Sequence, residues 1–198
     1  YPQYFIPEIK PFMDQEWFSK IYNYNQWINE IKIELPYVFY ELRNIGENDG
    51  FLCKLIREDA VEEFIIYVNR NNISRNATIN PSIYETNSFL LKKKIQYNIS
   101  LIEYAAFFGS IQIFTFLKNE NVELKSSLWP FVIHSKNAEL IHLLEDNHIE
   151  LTIDQTLKES IKCHHNDIVN YFLDNYFQNI IDLIDIKLVK SLKFINFS

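Results

Sequence analysis

Apolar and polar positions repeat one pattern three times between Ser100 and Phe172. The stretch Ala105-Ala106-Phe107-Phe108-Gly109-Ser110-Ile111-Gln112-Ile113-Phe114 is answered by Val132-Ile133-His134-Ser135-Lys136-Asn137-Ala138-Glu139-Leu140-Ile141. A third copy is Ser160-Ile161-Lys162-Cys163-His164-His165-Asn166-Asp167-Ile168-Val169. Ile113, Leu140 and Ile168 hold the same slot, 27 and 28 residues apart. Each copy has a short apolar run, a break, and then a second apolar stripe: Ile113, Phe114, Phe116, Leu117; Leu140, Ile141, Leu143, Leu144; Ile168, Val169, Tyr171, Phe172. A fixed period in this range predicts stacked helix-turn-helix units, none of which buries its apolar face alone. Gly109, Lys136 and His164 fall at the breaks, where a left-handed residue lets the chain reverse.

Start signals agree with that division. Ser100-Leu101-Ile102-Glu103 is a capping box, in which the serine hydroxyl accepts a free amide and the glutamate reaches back. Ser127 holds the equivalent slot of the second copy, with Pro130 in the first turn, where a missing N–H removes no helical bond. Asp154 or Thr156 is the expected cap of the third.

Upstream, residues 1–11 carry Pro2, Pro7 and Pro11 and read as irregular. Trp17, Ile21, Tyr24, Ile28 and Ile31 predict one helix ended by Pro36, and a second runs from Pro36 to about Asn44. After Gly50, the faces Leu52, Leu55, Ile56 and Val61, Phe64, Ile65, Val68 flank a break at Glu58-Asp59. They read as a degenerate first repeat over 49–68. Residues 69–98, rich in Asn and carrying Pro81 and Lys92-Lys93-Lys94, read as a polar insertion; segments this long without periodicity are functional or disordered. Ile79, Ile83, Tyr84, Phe89 and Leu90 argue against complete disorder. Residues 180–198 predict a C-terminal helix with apolar residues on both faces, unlike the polar outer face of an ordinary terminal repeat.

A length of 198 residues fits either one large domain or a stack of roughly five to six helical hairpins. Apolar residues are 47% of the 198, with 16 Phe and 12 Tyr, enough for a continuous core. The net charge of −7 repels phosphates, which makes nucleic acid a poor partner. Cys53 and Cys163 are too few for a disulfide framework and read as reduced thiols. No apolar run approaches the ~18 residues of a membrane span, and no signal peptide is evident. The expected location is cytoplasmic. The chain opens on Tyr1 and its single methionine is Met13, which reads as a segment of a longer product.

Candidate chemistry is sparse. Cys163-His164-His165 sets a thiol beside imidazoles, the types that serve as nucleophile with base or as zinc ligands. Neighbours on a helix point about 100° apart, so Cys163 and His164 converge only with help from elsewhere. No CxxC or HxxxH spacing accompanies them, and a structural turn is the expected role. His134 and His142 read as turn and surface histidines. Lys92-Lys93-Lys94 reads as a solvated face, and Trp129 as core. No Gly-rich phosphate loop, GxSxG elbow or HExxH occurs. No catalytic residue, metal or cofactor is expected.

The run Ser100-Leu101-Ile102-Glu103-Tyr104-Ala105-Ala106-Phe107-Phe108-Gly109-Ser110-Ile111-Gln112-Ile113 resembles the ankyrin repeat, whose consensus is T-P-L-H-x-A-A-x-x-G-H-x-E-I. Ser100 stands at the Thr, Ala105-Ala106 at the Ala pair, Gly109 at the Gly and Ile113 at the Ile. Ser110, Asn137 and His165 fall at the consensus His. Together with Ile133-His134-Ser135-Lys136-Asn137-Ala138-Glu139-Leu140-Ile141, it looks like the divergent ankyrin proteins expanded in some anaerobic protists, in which an N-terminal region of unknown function precedes the repeats. The likeness covers about 99–175 clearly and 50–68 weakly. The Pro and His of Thr-Pro-Leu-His are missing here, and the period is shorter than the family's ~33 residues. The resemblance therefore implies shortened connections in place of projecting fingers.

The expectation is an all-α, ankyrin-type helix-turn-helix solenoid with an N-terminal helical cap and a long polar insertion. Its parts are 1–48, the degenerate repeat 49–68, the insertion 69–98, three repeats over 99–179, and a terminal helix 180–198. The expected function is non-catalytic binding of another protein. The alternative is a fragment of a larger regulatory or enzymatic protein whose catalytic part lies elsewhere. The expected core includes Ala105, Leu117, Ile133, Leu144, Ile161 and Phe172. The expected contacts are Phe107, Phe108 and Ser110; His134, Lys136 and Asn137; Lys162, His164 and His165; and Tyr84 and Phe89.

Overall fold

The computed structural model describes residues 37–96, 98–151 and 153–176. The helices expected within 14–36 and 180–198 lie outside them. Among the described residues the secondary structure is helical, with one isolated antiparallel bridge between Thr78 and Ser100. In order the helices are α1 Tyr37–Ile45, α2 Phe51–Arg57, α3 Val61–Arg70, α4 Ser88–Gln96, α5 Leu101–Phe108, α6 Ile111–Asn119, α7 Leu128–Ser135, α8 Ala138–Asp146, α9 Ile153–Lys162 and α10 Asn166–Tyr176. No helix among the described residues is long and apolar enough to cross a membrane.

The chain divides into two compact units: Tyr1–Lys54 with Asn80–Asn98, and Leu55–Ile79 with Ile99–Ser198. In the first, short polar side chains substitute for regular pairing. Asn48 donates to the Asn80 carbonyl (2.8 Å) and accepts from the Gly50 amide (2.9 Å). Ser82 donates to Asp49 (2.7 Å), and the Thr86 hydroxyl to the Gly46 carbonyl (2.8 Å). Asn87 accepts from the amides of Phe89 and Leu90 and so opens α4. The Asn-rich stretch read as irregular thus contains a helix, whose start is set by one of those asparagines. Periodicity missed α4 because it is only nine residues long and its lysines interrupt the apolar stripe.

The second unit holds successive helical hairpins: α3 with the end of α2, α5–α6, α7–α8 and α9–α10. The inner helices pack in series, α5 on α7 and α7 on α9, and α3 lies against α6. Ala105, Leu117, Ile133, Leu144 and Phe172 are fully buried, as expected. Ile161 is only half-buried, while Thr156 and Ser160 on the same helix are at 0% exposure. The Ser160 hydroxyl is satisfied by the Thr156 carbonyl at 2.8 Å.

One bend recurs. Asp59, Gly109, Lys136 and His164 take φ of 49°, 73°, 53° and 55° between paired helices. At three of them the next amide bonds a carbonyl five residues back: Ala60 to Leu55, Ser110 to Ala105 and His165 to Ser160, each at 3.0 Å. A second set closes the outer helices. Asn72, Asn121 and His148 are left-handed, and Ile73, Val122 and Ile149 bond back to Val68, Leu117 and Leu144. Both sets are Schellman-type ends, which satisfy carbonyls that a terminating helix would leave open.

Helix starts follow the sequence in part. The capping box at α5 forms, with the Glu103 carboxylate accepting from the amide and hydroxyl of Ser100 at 2.9 and 2.8 Å. Ser127 does not cap α7; its hydroxyl donates to Glu103 (3.2 Å), and turn bonds from Leu128 to Lys125 and from Trp129 to Ser126 lead into the helix. Asp154 and Thr156 are not caps either, since α9 begins at Ile153.

Left-handed backbone costs a residue with a Cβ roughly 1–2 kcal/mol, and glycine almost nothing. A Cβ added at Gly109 would also sit 3.4 Å from that of Ser135. Gly109→Ala should therefore lose about 1–2 kcal/mol, whereas Lys136→Gly should gain up to about 1 kcal/mol by relieving the same strain. Urea unfolding of both variants checks this; equal effects of one sign would mean the two bends are not equivalent.

Candidate functional site

The residues following the bends join neighbouring hairpins. Ser110 donates its hydroxyl to the Ile56 carbonyl, and Asn137 donates to the Gly109 carbonyl at 3.3 Å. His165 hydrogen-bonds the main chain of His134. These are the three positions aligned with the consensus histidine, so each reaches back by one hairpin. Asp59 works forward: its carboxylate accepts from the amides of Gln112 (3.0 Å) and Ile113 (2.9 Å), capping α6 from the preceding hairpin.

These bonds fix an edge on which most of the expected contact residues gather. Phe107 and Phe108 are half-buried, their rings 4.9 Å apart at 74°. Phe107 lies 5.2 Å from the His134 ring, and the Arg57 guanidinium sits 6.0 Å over Phe108. Lys136, Lys162 and His164 are exposed, and Asn137 and His165 half-buried. Lys136 pairs with Asp167 across the bends at 3.3 Å. Two expectations are corrected. Ser110, 2% exposed, has its hydroxyl spent inside the fold and offers no contact surface. Phe89, 8% exposed, packs into the first unit, because the cap at Asn87 turns that face of α4 inward. Tyr84 also belongs to the first unit, where its half-buried ring packs on Phe39 at 5.6 Å.

The same edge gathers a side-chain cluster that sequence spacing does not display. His134, at the end of α7, sits with its Nε2 3.2 Å from Glu159 Oε1. The Cys163 sulfur lies 3.5 Å from His134 Nδ1 and 3.6 Å from Nε2. Lys162 binds the other carboxylate oxygen, Glu159 Oε2, at 3.0 Å. Cys163 therefore does find help from elsewhere, from His134 on the preceding hairpin. Glu159 was the residue missed. Its signal was the four-residue step to Cys163, which puts both side chains on one helix face.

No family model matches the chain, nor does any curated protein or solved structure. Chemistry therefore has to be read from the site itself.

Burial pushes the Cys163 thiol up, with the Glu159 charge adding to it, to about 11. Burial holds the His134 imidazole below its usual value despite the hydrogen bond and charge of Glu159. Burial alone would raise Glu159, but the hydrogen bonds and charges of Lys162 and His134 together outweigh it and hold the carboxyl below its ordinary value. A nucleophilic cysteine needs the opposite: a depressed pKa and an imidazole nitrogen aimed at the sulfur. Here the sulfur is nearly equidistant from both ring nitrogens, and one of these is already engaged by the carboxylate.

Proposed function

We infer that this protein is a non-catalytic protein–protein interaction module built as an ankyrin-type solenoid. The observation that carries the reading is the recurring left-handed bend at Asp59, Gly109, Lys136 and His164, each between two short helices. The reach-back bonds of Ser110, Asn137 and His165 support it, since they occupy aligned slots and tie each hairpin to the one before. An array held in this way presents its edge with little left to order when a partner docks, which lowers the entropy cost of binding. Phe107, Phe108 and His134 supply an aromatic strip, and Lys136, Lys162 and His164 its exposed polar margin. A strip of that kind, partly apolar and rimmed by polar groups, is the usual make-up of an interface centre.

The test is paired capture. Phe107→Asp and Lys136→Glu should keep the wild-type circular dichroism yet lose a partner that both the wild type and Glu62→Lys, on the exposed side of α3, retain. If all three variants hold every partner equally, the assigned edge is wrong.

A further inference from the structure

We propose that His134, Glu159 and Cys163 form a zinc site that clips the α7–α8 hairpin to α9. One donor atom from each residue lies within 4.8 Å of the other two, though they come from helices one repeat apart. The separations suit a metal. Zinc takes sulfur at about 2.3 Å and nitrogen or oxygen at about 2.0–2.2 Å, so tetrahedral angles set S···N near 3.5 Å and N···O near 3.4 Å. One ring nitrogen binds the ion, and for His134 Nε2 the distances are 3.6 Å to the Cys163 sulfur and 3.2 Å to Glu159 Oε1. The sulfur, nearly equidistant from both ring nitrogens, lies off the Nε2 lone-pair direction, so a side-chain rotation at Cys163 or His134 is what admits the ion.

The donor set selects the metal. Thiolate, imidazole and carboxylate together suit zinc, whereas magnesium and calcium favour oxygen alone. A thiolate and a carboxylate also balance the two charges of the ion. On binding, the thiol proton leaves to water and the sulfur lone pair enters the metal; nothing is oxidised or reduced. Lys162 holds Glu159 Oε2 and so steers Oε1 towards His134, the outer support that ligating carboxylates commonly have. The His134 and Glu159 side chains keep 18% and 15% exposure, which leaves an entry path and room for water as fourth ligand. The site is independent of the docking reading and would stand if that reading fell.

The experiment uses the tag-free chain, stripped with chelator and titrated with cobalt(II) as a spectroscopic stand-in. The expected result is a near-ultraviolet thiolate-to-cobalt charge-transfer band that saturates at equimolar metal and is abolished by zinc. Cys163→Ser should remove the band, and Cys53→Ser should leave it unchanged. His134→Gln and Glu159→Gln should each weaken apparent affinity by at least the about 10–100-fold that losing an outer partner costs. Circular dichroism of every variant reports folding. A second measurement needs no variant: zinc should slow alkylation of Cys163, read by peptide mass mapping. Absence of the band in the wild type, its persistence in Cys163→Ser, or alkylation of Cys163 unaffected by zinc would each overturn the proposal.

Discussion

Trp129→Ala should destabilise the chain by about 3–5 kcal/mol, the usual loss when a large buried aromatic is truncated to alanine. Trp129 is 1% exposed, and its ring meets Phe172 of α10 edge-on at 5.9 Å. The indole N–H donates to the carbonyls of Ile149 and Glu150 at 3.3 and 3.1 Å, pinning the connection between α8 and α9. One side chain thus holds together α7, the following link and α10. At about 2–4 °C per kcal/mol, the melting midpoint should fall by roughly 6–20 °C. Trp129→Phe keeps most of the volume but leaves both carbonyls without that donor, so it should lose only about 1–3 kcal/mol. Hydrogen exchange supplies the spatial readout. In a stacked array each hairpin feels its neighbours, so amides of α9 and α10 should exchange faster while α3 stays protected. Uniform acceleration throughout would contradict local coupling.

Glu103→Ala is expected to have the next largest effect, about 2–3 kcal/mol. Glu103 is 7% exposed, and its carboxylate accepts hydrogen bonds from the Ser100 amide, the Ser100 hydroxyl and the Ser127 hydroxyl. Losing the capping box alone accounts for about 1 kcal/mol, and the stranded polar groups at the α5–α7 junction account for the rest. Glu103→Gln should lose less than half as much, because its amide oxygen still accepts from Ser100 while its nitrogen cannot accept from Ser127. Denaturant midpoints of the two variants decide the matter. Equal losses would mean that the retained shape and the acceptance from Ser100 count for nothing, and that the carboxylate with both oxygens accepting is all that Glu103 supplies.

Sequence legibility followed locality. The bends at Gly109, Lys136 and His164, the capping box and the burial of Trp129 each rest on a few adjacent residues, and the structure has them where the pattern placed them. Ser110 was misjudged because its exposure depends on Ile56, 54 positions earlier. The same limit hid the cluster. Cys163 and His134 are 29 residues apart, one repeat plus an offset that only the lateral fit of α7 against α9 determines. The second set of left-handed ends, at Asn72, Asn121 and His148, carries no glycine and leaves no mark in hydrophobic periodicity.

The forward-pointing carboxylate of Asp59 bears on how the molecule can be dissected. It caps α6 although more than fifty residues, including the whole of Asn80–Asn98, intervene. An excision starting at Ile99, where the clear copies begin, would strip α6 of its cap and of α3, one of the helices it lies against. A minimal fragment has to open upstream of Leu55 and carry the intervening segment, α4 included, with it.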